Sequence, residues 1–169
     1  MASAIRQNYR EDTEAAINRY INLELHASYV FLSMSYHFDR DDTALPGLSK
    51  FFKGHSDFNN VNAQKLMKYQ NQRGGRVVLQ DIPPPPKQEW GQGLEAIMTA
   101  LDLKKQLHKG LLDLCEGISE EDTHALDFLN GNFLGEQIET IRKLGDMVTK
   151  HQRVEGNNIG LSMLDRDLL

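Results

Sequence analysis

Seven polar side chains stand on stripes that should be apolar: Glu24; His55, Asn59 and Asn62; Lys104 and His108; and Gln137. They come from four amphipathic segments, each near the middle of its segment, so folding brings them to a similar depth. Helix bundles build metal sites in this way. The residue types, however, suit a hard, highly charged ion poorly. Only Glu24 is anionic, Asn59 and Asn62 offer neutral carbonyl oxygens, and Lys104 adds a positive charge. A pair of iron ions needs several carboxylates to neutralise it. A buried Glu24 is costly unless paired, and Lys104 is the partner the sequence offers, a salt bridge standing where a metal would stand. Two other readings stay open: a hydrogen-bonded polar layer, or side chains at the bundle edge facing water.

The elements that position these groups follow from periodicity. Steps of three and four predict helices over 11–38, 45–73, 92–116 and 121–153. The first carries Ala16, Tyr20, Leu23, Ala27, Val30 and Met34 on one face, and Ile17, Ile21, Glu24, Ser28 and Phe31 on the adjoining one. The run Asp39-Arg40-Asp41-Asp42 offers caps for the second helix. Gly74-Gly75 ends that helix where left-handed backbone is needed. The fourth stripe includes Leu126, Asn130, Phe133 and Gln137, and a short tail over 160–169 repeats Leu161, Leu164 and Leu168.

Short links make the first and second helices, and the third and fourth, antiparallel neighbours. The second-to-third link, 74–91, holds Pro83-Pro84-Pro85-Pro86 and cannot be helical. It is long enough to run most of a helix that measures roughly 42 Å for about 28 residues. The expectation is an all-α, single-domain chain, 1–169: a four-helix bundle with one long crossover and a short fifth helix.

Composition bounds the function class. The 169 residues are 40% hydrophobic and 25% charged, with a formal net charge of −5 and no basic run, which excludes nucleic acid as a partner. No window approaches a membrane span, and the first residues lack the apolar core of a signal peptide. A single Cys115 suits a reducing compartment, so the expected location is cytoplasmic. His26, His37, His124 and His151 form no ligand motif and read as surface histidines. No phosphate loop, nucleophile motif or nucleotide fingerprint is present.

Several stretches carry a resemblance. They include Asn22-Leu23-Glu24-Leu25, Phe38-Asp39-Arg40-Asp41-Asp42, Lys65-Leu66-Met67-Lys68 and, most specific, Gln70-Asn71-Gln72-Arg73-Gly74-Gly75-Arg76. Over nearly its whole length the chain resembles the ferritin family, specifically the animal heavy-type subunit. The resemblance implies the ferritin-like bundle and a hollow cage of about twenty-four subunits storing iron as mineral. Carried over position by position, the family's oxidation centre keeps Glu24 and Gln137. It has Phe31 for the tyrosine, Asn59 and Asn62 for the Glu-x-x-His, and Lys104 for a further glutamate.

That pattern implies a degenerate ferroxidase centre and no enzyme activity. The acidic mineral-nucleating positions correspond to Phe58, Val61 and Gln64, which would leave an apolar patch unless Phe58 and Val61 pack against other side chains. The three-fold entry channel keeps Asp127, has Asn130 for its second acid, and has Cys115 where a histidine is common. Metal contacts are therefore expected at Glu24, Gln137 and Asp127, with iron held weakly or indirectly. The expected subunit is architectural, forming homopolymers or co-assembling with active subunits. The alternatives are a weak ferroxidase using Glu24, His55, His108 and Gln137, or a cage for non-mineral cargo.

Overall fold

The computed structural model describes residues 3–169. Helices α1 (Glu11–Phe38) and α2 (Pro46–Gln72) form one antiparallel hairpin. Helices α3 (Leu94–Gly117), α4 (Thr123–Leu129) and α5 (Gly135–Arg153) form the other, with α4 and α5 joined by a π turn, Asn130–Leu134. A short α6 (Asn158–Arg166) packs on α2 and α5. The described chain is all-α, the ferritin-like four-helix bundle with a short C-terminal helix.

The π turn keeps one face of the fourth rod pointed inward. Four residues overshoot a full α-turn by about 40°, so a stripe spaced by fours drifts around a regular helix. Ala125, Leu129, Phe133 and Gln137 are spaced that way, and all four are buried. The wider turn at Asn130–Leu134 takes up the drift. Asn130, expected on the inward stripe, is exposed, because the same turn rotates it out. Leu23 is also exposed, although the rest of its stripe from Tyr20 on (Tyr20, Ala27, Val30 and Met34) is buried together with the adjoining stripe of Ile17, Ile21, Glu24, Ser28 and Phe31.

The interior is two apolar clusters with a polar layer between them. One holds Phe31, Phe38, Leu48, Phe52, Trp90 and Ile97; the other holds Ile17, Ile21, Leu66, Tyr69, Leu111 and Phe133. The crossover is clipped along the outer side of α1. Asn18 donates to the Arg76 carbonyl (3.0 Å) and accepts from the Val78 amide (3.2 Å), and His26 donates to the Pro83 carbonyl (3.2 Å). Trp90, fully buried, pins its far end by donating to Ser33 (3.1 Å).

The run Asp39-Arg40-Asp41-Asp42 does not cap α2, whose N-cap Leu45 has no side-chain cap bond. The cap comes from α6 instead: Asp165 accepts from the amides of Gly47 (2.9 Å) and Leu48 (2.8 Å). Only glycine fits this junction, because a Cβ on Gly47 would lie 1.9 Å from the Asp165 carbonyl oxygen.

Candidate functional site

The polar layer is a ring of hydrogen bonds that touches α1, α2, α3 and α5. Lys104 Nζ on α3 donates to Asn59 Oδ1 on α2 (3.1 Å), and Asn59 Nδ2 donates to Glu24 Oε2 on α1 (2.7 Å). From the other side His108 Nδ1 donates to Gln137 Oε1 (2.9 Å), and Gln137 Nε2 donates to the Tyr20 hydroxyl (2.8 Å). The Tyr20 hydroxyl itself donates to the Leu107 carbonyl (3.4 Å) and, one turn before Glu24, lowers the Glu24 pKa. Lys104 and His108 lie one turn apart on α3, as Tyr20 and Glu24 do on α1, so the helices themselves close the ring. One arm ends on Glu24 and the other on Tyr20, one turn before it.

Burial dominates the electrostatics. Glu24 and Lys104 are each 1% exposed. Desolvation raises the Glu24 pKa, opposed in order by the Asn59 bond, the Lys104 charge and the Tyr20 bond. Desolvation lowers the Lys104 pKa, opposed by the charges of Glu136 and Glu24. The direct salt bridge expected between Glu24 and Lys104 is replaced by a relay: the Asn59 amide spans them, presenting its N–H to the acid and its C=O to the base. The ammonium also lies over the rings of Phe31 (5.4 Å) and Phe58 (5.7 Å). Phe58 is thus taken up by Lys104, and of the expected apolar patch Val61 remains exposed at 48%.

His55 sits between Phe31 and Phe51, with ring centroids 5.6 and 4.6 Å away. Its pKa is pushed down to about 3, first by burial and then by the charges of Lys104 and Lys143. His55 Nδ1 and Asn62 Oδ1 are buried without a protein hydrogen-bond partner.

Two contributors escaped the sequence reading. Tyr20 counted as an apolar stripe residue, although its hydroxyl accepts from Gln137 and lowers the Glu24 pKa. Glu136 precedes the inward residue Gln137 and is half-buried; its charge acts on Glu24, Tyr20 and Lys104. The signal for Tyr20 was its position one turn before Glu24.

Residues 14–154 match the family model described as Ferritin-like domain. The chain is 51% identical to the soma ferritin of Lymnaea stagnalis over 168 residues, covering 99% of this chain and 96% of that one. It is 47% identical to the ferritin middle subunit of Salmo salar, covering 100% and 98% of the two chains. It is likewise 47% identical to the ferritin-1 heavy chain of Schistosoma mansoni, covering 99% and 96%. The chain belongs to the ferritin family.

Of the three metal positions the resemblance implied in this ferritin-family chain, the fold joins two. Glu24 and Gln137 share Tyr20, whereas Asp127 is exposed on α4. Near Asp127, the Cys115 thiol donates weakly to Asn130 Oδ1 (3.8 Å), and burial raises the Cys115 pKa. Among the described residues, no three His, Cys, Asp or Glu side chains are placed to hold one metal ion. The ring's donor set of one carboxylate, amides, a phenol and an imidazole, with an ammonium inside it, is a poor fit for a pair of iron ions.

His37 and His151 are not surface histidines. Both are buried: His37 Nε2 donates to the Gly91 carbonyl (2.9 Å), and His151 Nδ1 donates to the Met147 carbonyl (2.8 Å). Each sits near a helix end that a distant part of the chain covers, the end of the crossover for His37 and the start of α3 for His151. Local spacing carries no trace of such cover.

Proposed function

We propose that this ferritin-family iron-storage subunit is architectural and has no ferroxidase activity of its own. The observation that supports this reading is the Lys104–Asn59–Glu24 relay. A tethered ammonium compensates the one ring carboxylate, so an arriving ferrous ion would have to displace a cation that cannot leave. Neutral amides at 59 and 62 add no charge to attract it. The subunit then forms a closed cage of about twenty-four copies, or co-assembles with subunits that oxidise iron for the shell. Asp127 supplies a weak cation contact, and iron reaches storage indirectly. The reading includes a cytoplasmic location, consistent with the lone thiol of Cys115; among the described residues no helix is long and apolar enough to cross a membrane.

Stopped-flow ferrous oxidation tests the proposal. The protein should match a protein-free blank, and a faster rate refutes the reading. The triple variant Asn59→Glu, Asn62→His, Lys104→Glu should gain iron binding and oxidation above that blank.

A further inference from the structure

Residues 83–86 are four consecutive prolines, and they lie in the crossover rather than in the bundle. One proline already excludes a helix, so a run of four stiffens the segment beyond what breaking a helix requires. Each ring fixes its own φ at about −65° and also confines the residue before it, so the run is held as polyproline II. The chain bends at Pro86. The straight part, 82–86, spans roughly 12 Å at about 3.1 Å per residue. Three residues make a turn, so this helix has three edges. Pro85 is half-buried, which seats its edge on the bundle, and the Pro83 carbonyl is held by His26 (3.2 Å). Pro83, Pro84 and Pro86 are exposed. Pro83 and Pro86 share one open edge, and Pro84 stands on the other.

Protein grooves lined by aromatic side chains recognise polyproline II, and a ligand already rigid loses little freedom on entering them. The charges around the run select among such grooves. Lys87, the cation next to the prolines, is tied to Glu95, and Glu89 is tied to Arg40. A groove that depends on a basic residue beside the prolines finds Lys87 already engaged. A groove that grips a proline pair between two rings needs no charge. We propose that the crossover is a docking site for another protein, which grips Pro83 and Pro84 between two aromatic rings in the manner of a WW domain. Pro86 extends the contact along the same open edge as Pro83, while Pro85 keeps its seat on the bundle. The docking is independent of the ring and of whether the subunit oxidises iron.

The test observes an isotopically labelled, isolated WW domain by NMR as the assembled protein is added. The signal of the groove tryptophan indole should broaden, with half-saturation at about 0.1–1 mM subunit. An unlabelled Pro-Pro-x-Tyr peptide, which fills the same groove, should reverse the broadening. Pro84→Ala should weaken binding about fivefold or more, and Pro85→Ala, at the seated edge, less than about twofold. Both variants lose one proline, so the difference between them reads ring contact and not stiffness; sedimentation checks that each still assembles. No broadening at about 2 mM subunit, no reversal by the peptide, or equal losses in the two variants overturns the proposal. Broadening that Pro84→Ala leaves unchanged would assign the contact to another surface, which also overturns it.

Discussion

Replacing Lys104 by methionine removes one arm of the ring while keeping most of the buried volume. The variant strands Asn59 Oδ1, which accepts from Nζ at 3.1 Å, and takes away a positive charge that lowers the Glu24 pKa. Breaking a directly bonded buried pair costs about 3–5 kcal/mol. Here the loss should be smaller, because Glu24 keeps its bond from Asn59, and the cost of burying an ammonium disappears with Lys104. A stranded carbonyl at about 1–3 kcal/mol sets the scale, and we expect about 2 kcal/mol at pH 7. For a chain of this size that is a fall of about 4–8 °C in Tm, measured by scanning fluorimetry at fixed subunit concentration.

The pH dependence has a definite sign. The folded pKa of Glu24 lies above its unfolded value of 4.5. The folded state therefore holds a proton that the unfolded state has released, and stability falls as pH rises from 4.5 through the folded pKa. Lys104→Met raises that folded pKa further and extends the fall to higher pH. The Tm gap between wild type and variant should widen as pH rises above 4.5 through the folded pKa, and adding Glu24→Gln should flatten it. A Tm for Lys104→Met that matches wild type throughout this range refutes the relay as a stabilising feature.

Three further outcomes follow from the geometry. His55, held neutral down to about pH 3, refuses a proton that the unfolded chain accepts below about 6.5; stability should drop as pH falls through that window, and His55→Gln should lessen the drop in acid unfolding curves. Asp165→Ala removes the remote cap of α2 and should cost about 1–2 kcal/mol, with faster hydrogen exchange at Gly47 and Leu48; exchange unchanged at those amides would contradict the cap. Asn18→Ala frees the backbone of Arg76 and Val78, so limited proteolysis should cut the crossover sooner while the bundle helices stay intact.

The helices and crossover were legible because their causes are local. Stripe spacing in α1, the glycine pair that ends α2, and four consecutive prolines each constrain nearby backbone without help from the rest of the chain. The polar layer was legible for the same reason, as polar residues interrupting apolar stripes. Its wiring was hidden. Spacing places Glu24, Asn59 and Lys104 at one depth, yet the choice between a direct ion pair and an amide bridge rests on ångström-scale reach between three helices. Tyr20 and Glu136 enter through the same reach. Asp165 caps a helix 117 residues earlier in the chain, by its bond to Leu48, which no local pattern predicts.

The sequence by itself determined an all-α bundle with a crossover and placed one carboxylate and one ammonium at its middle. Periodicity and residue charge need no neighbours to be read. Tertiary structure alone decided which hydrogen bonds form, which histidines are covered, and that Asn59 stands between Glu24 and Lys104. Those outcomes depend on what another helix brings within about 3 Å, and hydrogen bonding at that range is a property of packed surfaces rather than of any one segment.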